Sequence, residues 1–181
     1  MELIELSLEN SKKASKELAK KIKNDYKYDL VIFIAKGSYT IGRELADYNN
    51  TELLEIKATR KGNKIKEKIK RFLNILPKGL KNVLRNIEAN SNIHEKSTER
   101  EILYNENIWK KFMNAKKIIL VDDSIDTGNS MKQCKKVVEN FFKNSEVRIA
   151  ALNIFSKSEK LIKTDYYLYE DKLLEGPWSN D

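Results

Sequence analysis

Residues 116 to 131 read Lys-Lys-Ile-Ile-Leu-Val-Asp-Asp-Ser-Ile-Asp-Thr-Gly-Asn-Ser-Met and contain the most informative pattern of the chain. Its four consecutive apolar residues, Ile118 to Val121, predict a short strand that is buried on both faces, as in a parallel sheet. Carboxylates follow at positions 122, 123 and 126, then a small polar turn, then apolar residues at helical spacing. Because open parallel sheets bind ligands beyond the carboxyl ends of their strands, the acidic loop is the expected binding site.

The polar turn from Thr127 to Ser130 suits a phosphate group. Backbone N–H groups at a helix N-terminus bind anions with the help of the helix dipole, and Gly128 allows a close backbone approach. The adjacent carboxylates of Asp122 and Asp123 suit a pair of sugar hydroxyls, a Mg²⁺ ion, or both. A helix cap with nearby acidic residues is the alternative, but a cap needs only one such residue.

This arrangement resembles the PRPP-binding motif of type I phosphoribosyltransferases: an apolar strand, two acidic residues, two variable residues, then Asp-Thr-Gly and small polar residues. The resemblance implies that Asp122 and Asp123 bind the ribose hydroxyls of PRPP and Mg²⁺, and that Asp126 is the candidate general base. It also implies a 5′-phosphate site formed by Asp126, Thr127, Gly128, Asn129 and Ser130. Asn129 departs from the Gly or Lys that is common in the family.

The size and composition of the chain suit one domain with an insertion. It has 181 residues, of which 40% are hydrophobic and 34% are charged. The single cysteine, Cys134, excludes an internal disulfide and favours a reducing, cytoplasmic compartment; its place on an apolar helix face predicts a buried thiol. We read no signal peptide, and no apolar run approaches the length of a transmembrane segment.

Helical and strand patterns alternate along the chain. Helices are predicted over residues 9–24 and through Ile41 and Tyr48. Strands are predicted over residues 30–35, 53–56, 147–154 and 165–169. This alternation favours a parallel α/β sheet with right-handed crossovers.

Lys36-Gly37 follows the first buried strand and is a second point of resemblance. Type I phosphoribosyltransferases carry a short basic-Gly loop there, which binds pyrophosphate. A lysine and a glycine amide can meet a doubly charged leaving group. The family often has another Gly where Ser38 stands, and a plain surface turn is the alternative.

Residues 58–115 form a long basic insertion. Between Lys57 and Arg85 there are eleven basic residues and one acidic residue, which gives a net charge of +10, against +8 for the whole chain. Apolar spacing predicts a helical hairpin, and a further helix through Ile102, Leu103, Trp109 and Met113 with Trp109 in the core. Arg60 and Lys61 are the best candidates in this region for contacting pyrophosphate. For the other basic residues of 57–85, a solvated face, an oligomer interface and a site for nucleic acid or an anionic surface all remain open.

The C-terminal stretch is a third point of resemblance, to bacterial xanthine-guanine phosphoribosyltransferases. There a strand ends in a Lys, an Asp-Tyr strand follows, and a Pro-Trp pair closes a small hood, here residues 158–181. The resemblance implies that Lys157 donates to an exocyclic purine oxygen and that Trp178 stacks on the purine. A surface lysine and a tryptophan packed on the core are the alternatives.

Taken together, these features predict a single phosphoribosyltransferase-like domain over residues 1–181: a parallel-sheet α/β fold with a C-terminal hood and a basic helical insertion. The resemblance implies Mg²⁺-dependent transfer from PRPP to a purine-like base by a homo-oligomer. Two alternatives remain: a PRPP- or nucleotide-binding regulator that binds RNA through the basic hairpin, and a transferase with a non-purine acceptor.

Overall fold

The computed structural model describes residues 2–60 and 100–177, with the side chain of Arg60 left out. Internal contacts divide the chain into two compact units, residues 1–58 with 102–181, and residues 59–101. At the described ends of the second unit, the hydroxyl of Thr59 donates to the carbonyl of Glu101 at 3.2 Å. The predicted basic hairpin, Lys61 and Trp178 lie outside the described residues.

Six strands form one sheet in the order β4-β3-β2-β5-β6-β7. Their bounds are β2 Leu30–Ala35, β3 Glu52–Arg60, β4 Arg100–Leu103, β5 Lys117–Ile125, β6 Glu146–Ile154 and β7 Tyr166–Glu170. Neighbours from β3 through β7 pair in parallel. A second, two-stranded parallel sheet pairs β1, Glu2–Glu5, with β8, Lys172–Glu175. The predicted parallel α/β architecture is therefore confirmed.

Within the described residues, four α-helices lie between these strands: α1 Leu8–Asp25, α2 Tyr39–Asn49, α3 Glu106–Trp109 and α4 Asn129–Phe141. Short 3-10 helices cover Lys110–Phe112 and Ser156–Lys160. Ser7 caps the start of α1 by accepting the backbone N–H of Asn10 at 3.1 Å. Within residues 2–60 and 100–177, no helix has both the length and the apolar character needed to cross a membrane.

The central strand β5 is buried on both faces, as predicted, and its residues Ile118 to Val121 are all 0% exposed. Alternate side chains of the sheet face two separate cores. One core packs against α1 and α2. The other packs against α4 and Trp109, so the predictions of a core tryptophan and a buried Cys134 are confirmed.

The predicted helix through Ile102 and Met113 is wrong in its first half, because Ile102 and Leu103 lie in β4. A new helix begins only after Asn105, whose side chain accepts the N–H of Ile108 at 3.2 Å. The apolar residues of this stretch are compatible with either structure, and pairing with β3 decides in favour of a strand. The sheet of β1 and β8 was not predicted, because it joins the two ends of the chain.

Candidate active site

The acidic loop begins inside β5 and continues past its end. Each carboxylate of the adjacent pair accepts the next backbone N–H: Asp122 Oδ1 from Asp123 at 3.0 Å, and Asp123 Oδ1 from Ser124 at 2.7 Å. Burial raises the pKa of both Asp122 and Asp123, and the neighbouring Asp123 carboxyl raises the pKa of Asp122 further. Two carboxyl groups held close together in a partly buried site favour a cation or a hydroxyl donor between them.

A Mg²⁺ ion fits this pair. Hard oxygen ligands suit the ion, which is usually held by one or two carboxylates together with substrate phosphates. In the described part of the chain, no three or more His, Cys, Asp or Glu side chains form a metal cluster. The two adjacent carboxylates match this coordination, with oxygens of a substrate as the further ligands.

The polar turn after the acidic loop leads into the N-terminus of α4. Gly128 occupies the cap position with φ of 79°, and no side chain caps the first turn of the helix. Asn129 instead donates to the hydroxyl of Thr127 at 3.2 Å. Backbone N–H groups at such an uncapped helix start are a suitable site for a phosphate.

Gly128 is required here for two reasons. Its positive φ is a conformation that other residues rarely adopt. A Cβ atom at this position would also lie 2.8 Å from Cγ2 of Ile162 and 3.3 Å from the carbonyl oxygen of Ser158. The turn is therefore packed closely under the segment that follows Lys157.

The Lys36-Gly37 loop lies at the same edge of the sheet as the acidic loop. Its strand β2 pairs in parallel with β5, and Phe33 lies opposite Val121. The side chain of Lys36 is exposed, and the peptide bond between Ala35 and Lys36 is cis. Ser38 is buried and donates its hydroxyl to the carbonyl of Ile34.

The structure brings Asp126 and Lys157 together, although two separate parts of the sequence pointed to them. Lys157 Nζ lies 2.6 Å from Asp126 Oδ1. The same ammonium lies 5.4 Å from the centroid of the Phe155 ring. Ile125 and Ile154 are paired in neighbouring strands, so the loops that follow them are adjacent. This places a carboxylate and a cation side by side at the carboxyl edge of the sheet.

Asn153 holds the acidic loop from the interior, and the sequence did not point to it. It is completely buried, and its amide nitrogen donates to the hydroxyl of Ser124 in the acidic loop at 3.0 Å. A lone amide in the apolar run of β6, close to the end of the strand, was the available signal. Of the other predicted contacts, the side chain of Arg60 and Trp178 fall outside the described part, so their roles stay predictions.

A profile of the phosphoribosyl transferase domain family matches residues 6–179. The chain belongs to this family. The predicted recognition, fold and enzyme class are therefore confirmed: the protein is a phosphoribosyltransferase.

Solved structures resemble this phosphoribosyltransferase over nearly its whole length. A purine phosphoribosyltransferase from Pyrococcus horikoshii has 18% identity and a TM-score of 0.63, over 98% of this chain and 94% of that chain. A xanthine-guanine-hypoxanthine phosphoribosyltransferase from Helicobacter pylori has 16% identity and a TM-score of 0.66, over 97% and 93%. A hypothetical protein from Neisseria gonorrhoeae, solved with bound ppGpp, has 18% identity and a TM-score of 0.64, over 98% and 89%. No curated protein sequence matches the chain significantly.

Proposed function

We propose that this phosphoribosyltransferase transfers the 5-phosphoribosyl group of PRPP to a purine-like base and releases pyrophosphate. The observation that carries the proposal is the contact of 2.6 Å between Asp126 and Lys157. A base with a carbonyl group and an acidic N–H needs one donor and one acceptor close together. The pair supplies both, beside the loop that suits ribose and phosphate.

The PRPP side of the site consists of the acidic loop and the start of α4. In this proposal Asp122 and Asp123 accept hydrogen bonds from the ribose hydroxyls. The N–H groups of the turn over residues 127–130 hold the 5′-phosphate. Lys36 and the Gly37 amide meet the pyrophosphate, and charge placed there stabilises the leaving group as the bond breaks.

The base side has an acceptor and a donor. A nitrogen of the base attacks ribose C1, the bond between C1 and the pyrophosphate oxygen breaks, and pyrophosphate leaves with the electron pair. The proton on the attacking nitrogen passes to the carboxylate of Asp126. Lys157 donates to a carbonyl oxygen of the base, and Trp178 is proposed to stack on the base.

The ion pair does not block this chemistry. The side chains of Lys157 and Asp126 are 59% and 63% exposed. Exposed ion pairs contribute only about 0–1 kcal/mol. Separating the two side chains therefore costs little free energy. When a base binds, Lys157 and Asp126 each exchange their mutual contact for a contact with the base.

Mg²⁺ is proposed to be held by Asp122 and Asp123 together with oxygens of PRPP. When bound, it would neutralise part of the charge of PRPP and of the pyrophosphate that leaves. The carboxylates themselves orient the ribose, whether or not they also contact the ion.

The test is pyrophosphate release from PRPP in the presence of Mg²⁺ and one base at a time, with guanine, hypoxanthine, xanthine, adenine and uracil. Turnover with an oxopurine and none with uracil supports the proposal. Turnover with uracil alone favours a non-purine acceptor. Salt-sensitive RNA binding with no turnover favours the regulatory alternative, in which the basic residues of 57–85 bind the polyanion.

The Neisseria gonorrhoeae neighbour was solved with bound ppGpp, and this nucleotide is a further ligand to test at the proposed site. That nucleotide combines a guanine ring with phosphate groups, which are the two chemistries proposed for the base side and the PRPP side. We therefore expect ppGpp to compete with PRPP. Calorimetric titration of ppGpp into the protein, with and without saturating PRPP, measures this competition directly.

A further inference from the structure

The loop that carries Lys157 is held by the turn between β7 and β8. Lys157 is the second residue of the 3-10 helix Ser156–Lys160. The backbone N–H of Ser156 donates to Asp171 Oδ1 at 2.9 Å. The backbone N–H of Asp171 donates to the carbonyl of Ile154 at 2.8 Å. One residue of the turn thus contacts the chain at two points just before Lys157.

The turn is itself fixed from the interior. Asn153, which is completely buried, accepts the backbone N–H of Lys172 at 3.2 Å and donates to the carbonyl of Lys172 at 3.0 Å. Its amide nitrogen also donates to the hydroxyl of Ser124. A buried amide with partners at both ends rigidifies its surroundings. Asp171 therefore connects the loop to an anchored segment, not to a free hairpin.

Two requirements meet at position 171. The residue has φ of 53°, in the left-handed region that Gly, Asn and Asp tolerate best. It must also offer an acceptor to Ser156. Hydrogen bonds from the Ser156 backbone and hydroxyl, and then the charge of Lys157, lower the pKa of Asp171, so the acceptor is a carboxylate at neutral pH. Asparagine meets both requirements, whereas glycine meets only the first.

We propose that Asp171 is a positioning residue that sets where Lys157 meets the base. It contacts no substrate. It fixes the backbone of Ser156 and thereby sets the direction of the next side chain, that of Lys157. The inference rests on the proposed function, in which Lys157 contacts the base. It predicts that loss of the Asp171 acceptor raises the KM for the base and leaves the KM for PRPP unchanged.

The experiment compares Asp171→Gly with Asp171→Asn in steady-state kinetics, varying PRPP and then the best of guanine, hypoxanthine and xanthine. Asp171→Gly keeps the backbone conformation and removes the acceptor. Misplacement of a positioning group is costly, and we expect its KM for the base to rise on the order of 10-fold, with an unchanged KM for PRPP. Asp171→Asn should behave as the wild type, because the amide oxygen still accepts the N–H.

Ser156→Pro removes the same hydrogen bond from the donor side. Ser156 is the first residue of its 3-10 helix, where the missing N–H and fixed φ of proline are tolerated. We expect the same rise in the KM for the base. The double variant Asp171→Gly with Ser156→Pro should be no worse than either single variant, because each of the three variants lacks the same contact between residues 156 and 171.

The outcomes separate failure of the proposed function from failure of the positioning role. If the wild type turns over none of the three oxopurines, the proposed function and this inference fall together. If the wild type is active and Asp171→Gly keeps its KM for the base, only the positioning role is overturned. The role is also overturned if Asp171→Gly raises both KM values equally, since that indicates general loss of structure. If Asp171→Gly does not fold, Ser156→Pro decides by the same criteria.

Discussion

Lys157 Nζ lies 2.6 Å from Asp126 Oδ1, and the two residues belong to loops that follow neighbouring parallel strands. This contact joins the end of the acidic loop to the start of the segment that leads to the hood. A proton acceptor and a cationic donor for the base thus lie within reach of one small molecule.

Replacing Lys157 should affect the base alone. Lys157→Met keeps an unbranched chain and removes the donor, and hydrogen bonds to charged groups contribute about 1.5–3 kcal/mol, which corresponds to roughly 10- to 150-fold in affinity. We expect the KM for the base to rise by about that factor and the KM for PRPP to stay constant. Lys160→Met, in the same 3-10 helix, is the control and should match the wild type. An equal effect of the two replacements would refute the assignment of Lys157.

Replacing the acidic pair should abolish PRPP binding without loss of stability. Asp122→Asn with Asp123→Asn removes two charges that burial and mutual repulsion disfavour. We expect calorimetry with Mg²⁺ to detect no PRPP binding, and thermal melting without metal to occur at the same or a higher temperature. Asp47→Asn, at an exposed ion pair of α2, is the matched control and should bind PRPP normally. Unchanged PRPP affinity in the double variant contradicts the sugar-binding role.

Gly128→Ala should damage both stability and phosphate binding. A non-glycine residue in the left-handed region costs roughly 1–2 kcal/mol. The new Cβ would also meet Cγ2 of Ile162 at 2.8 Å. Urea unfolding should show a loss of at least about 2 kcal/mol from the two effects together. Adding Ile162→Ala should cost less in the Gly128→Ala background than in the wild type, because it relieves the contact. Strictly additive losses would show that the contact is harmless.

Tyr28 makes stability depend on alkaline pH. Its ring is 2% exposed, its hydroxyl donates to the carbonyl of Leu45 at 2.7 Å, and burial raises its pKa. Above about pH 10 the unfolded tyrosine loses its proton while the folded one keeps it, so the free energy of unfolding falls by up to about 1.4 kcal/mol per pH unit.

Tyr28→Phe should remove the part of this slope that Tyr28 contributes and leave the part that comes from the buried Tyr26 and Tyr166, although loss of the hydrogen bond costs about 1 kcal/mol at neutral pH. Urea unfolding at pH 7, 9, 10 and 11 measures both quantities. The control is Tyr39→Phe, because that ring is 55% exposed, and its curve should run parallel to that of the wild type. A constant difference between Tyr28→Phe and the wild type at all four pH values would contradict the prediction.

The sequence was sufficient for the elements whose patterns are local. Ile118 to Val121 predicted a strand buried on both faces, and residues 9–24 predicted a helix that the structure has at Leu8–Asp25. The strand that carries the acidic pair also located the candidate site, because side chains at the carboxyl ends of parallel strands share one edge of the sheet.

What the sequence did not reveal depends on contacts between distant residues. Ile102 and Leu103 have spacings compatible with a helix, and only pairing with β3 makes them a strand. The link from Asn153 to Ser124 and to the main chain of Lys172 needs the register of β6 and the path of the hood. The proximity of Asp126 and Lys157 likewise follows from the order of β5 and β6, which no local pattern states.

Single-turnover conversion of labelled guanine, hypoxanthine or xanthine to its nucleotide shows whether Asp126 and the acidic loop serve one transfer reaction. With PRPP and Mg²⁺ present, we expect the wild type to form one nucleotide per pyrophosphate released. Asp126→Asn should bind PRPP with unchanged affinity and lower the rate of the chemical step by about 10²- to 10⁴-fold, the usual range for general acid–base catalysis. An Asp126→Asn enzyme that forms nucleotide at the wild-type single-turnover rate would contradict the role of Asp126, and a wild type that forms none from any of the three bases would contradict the proposed reaction.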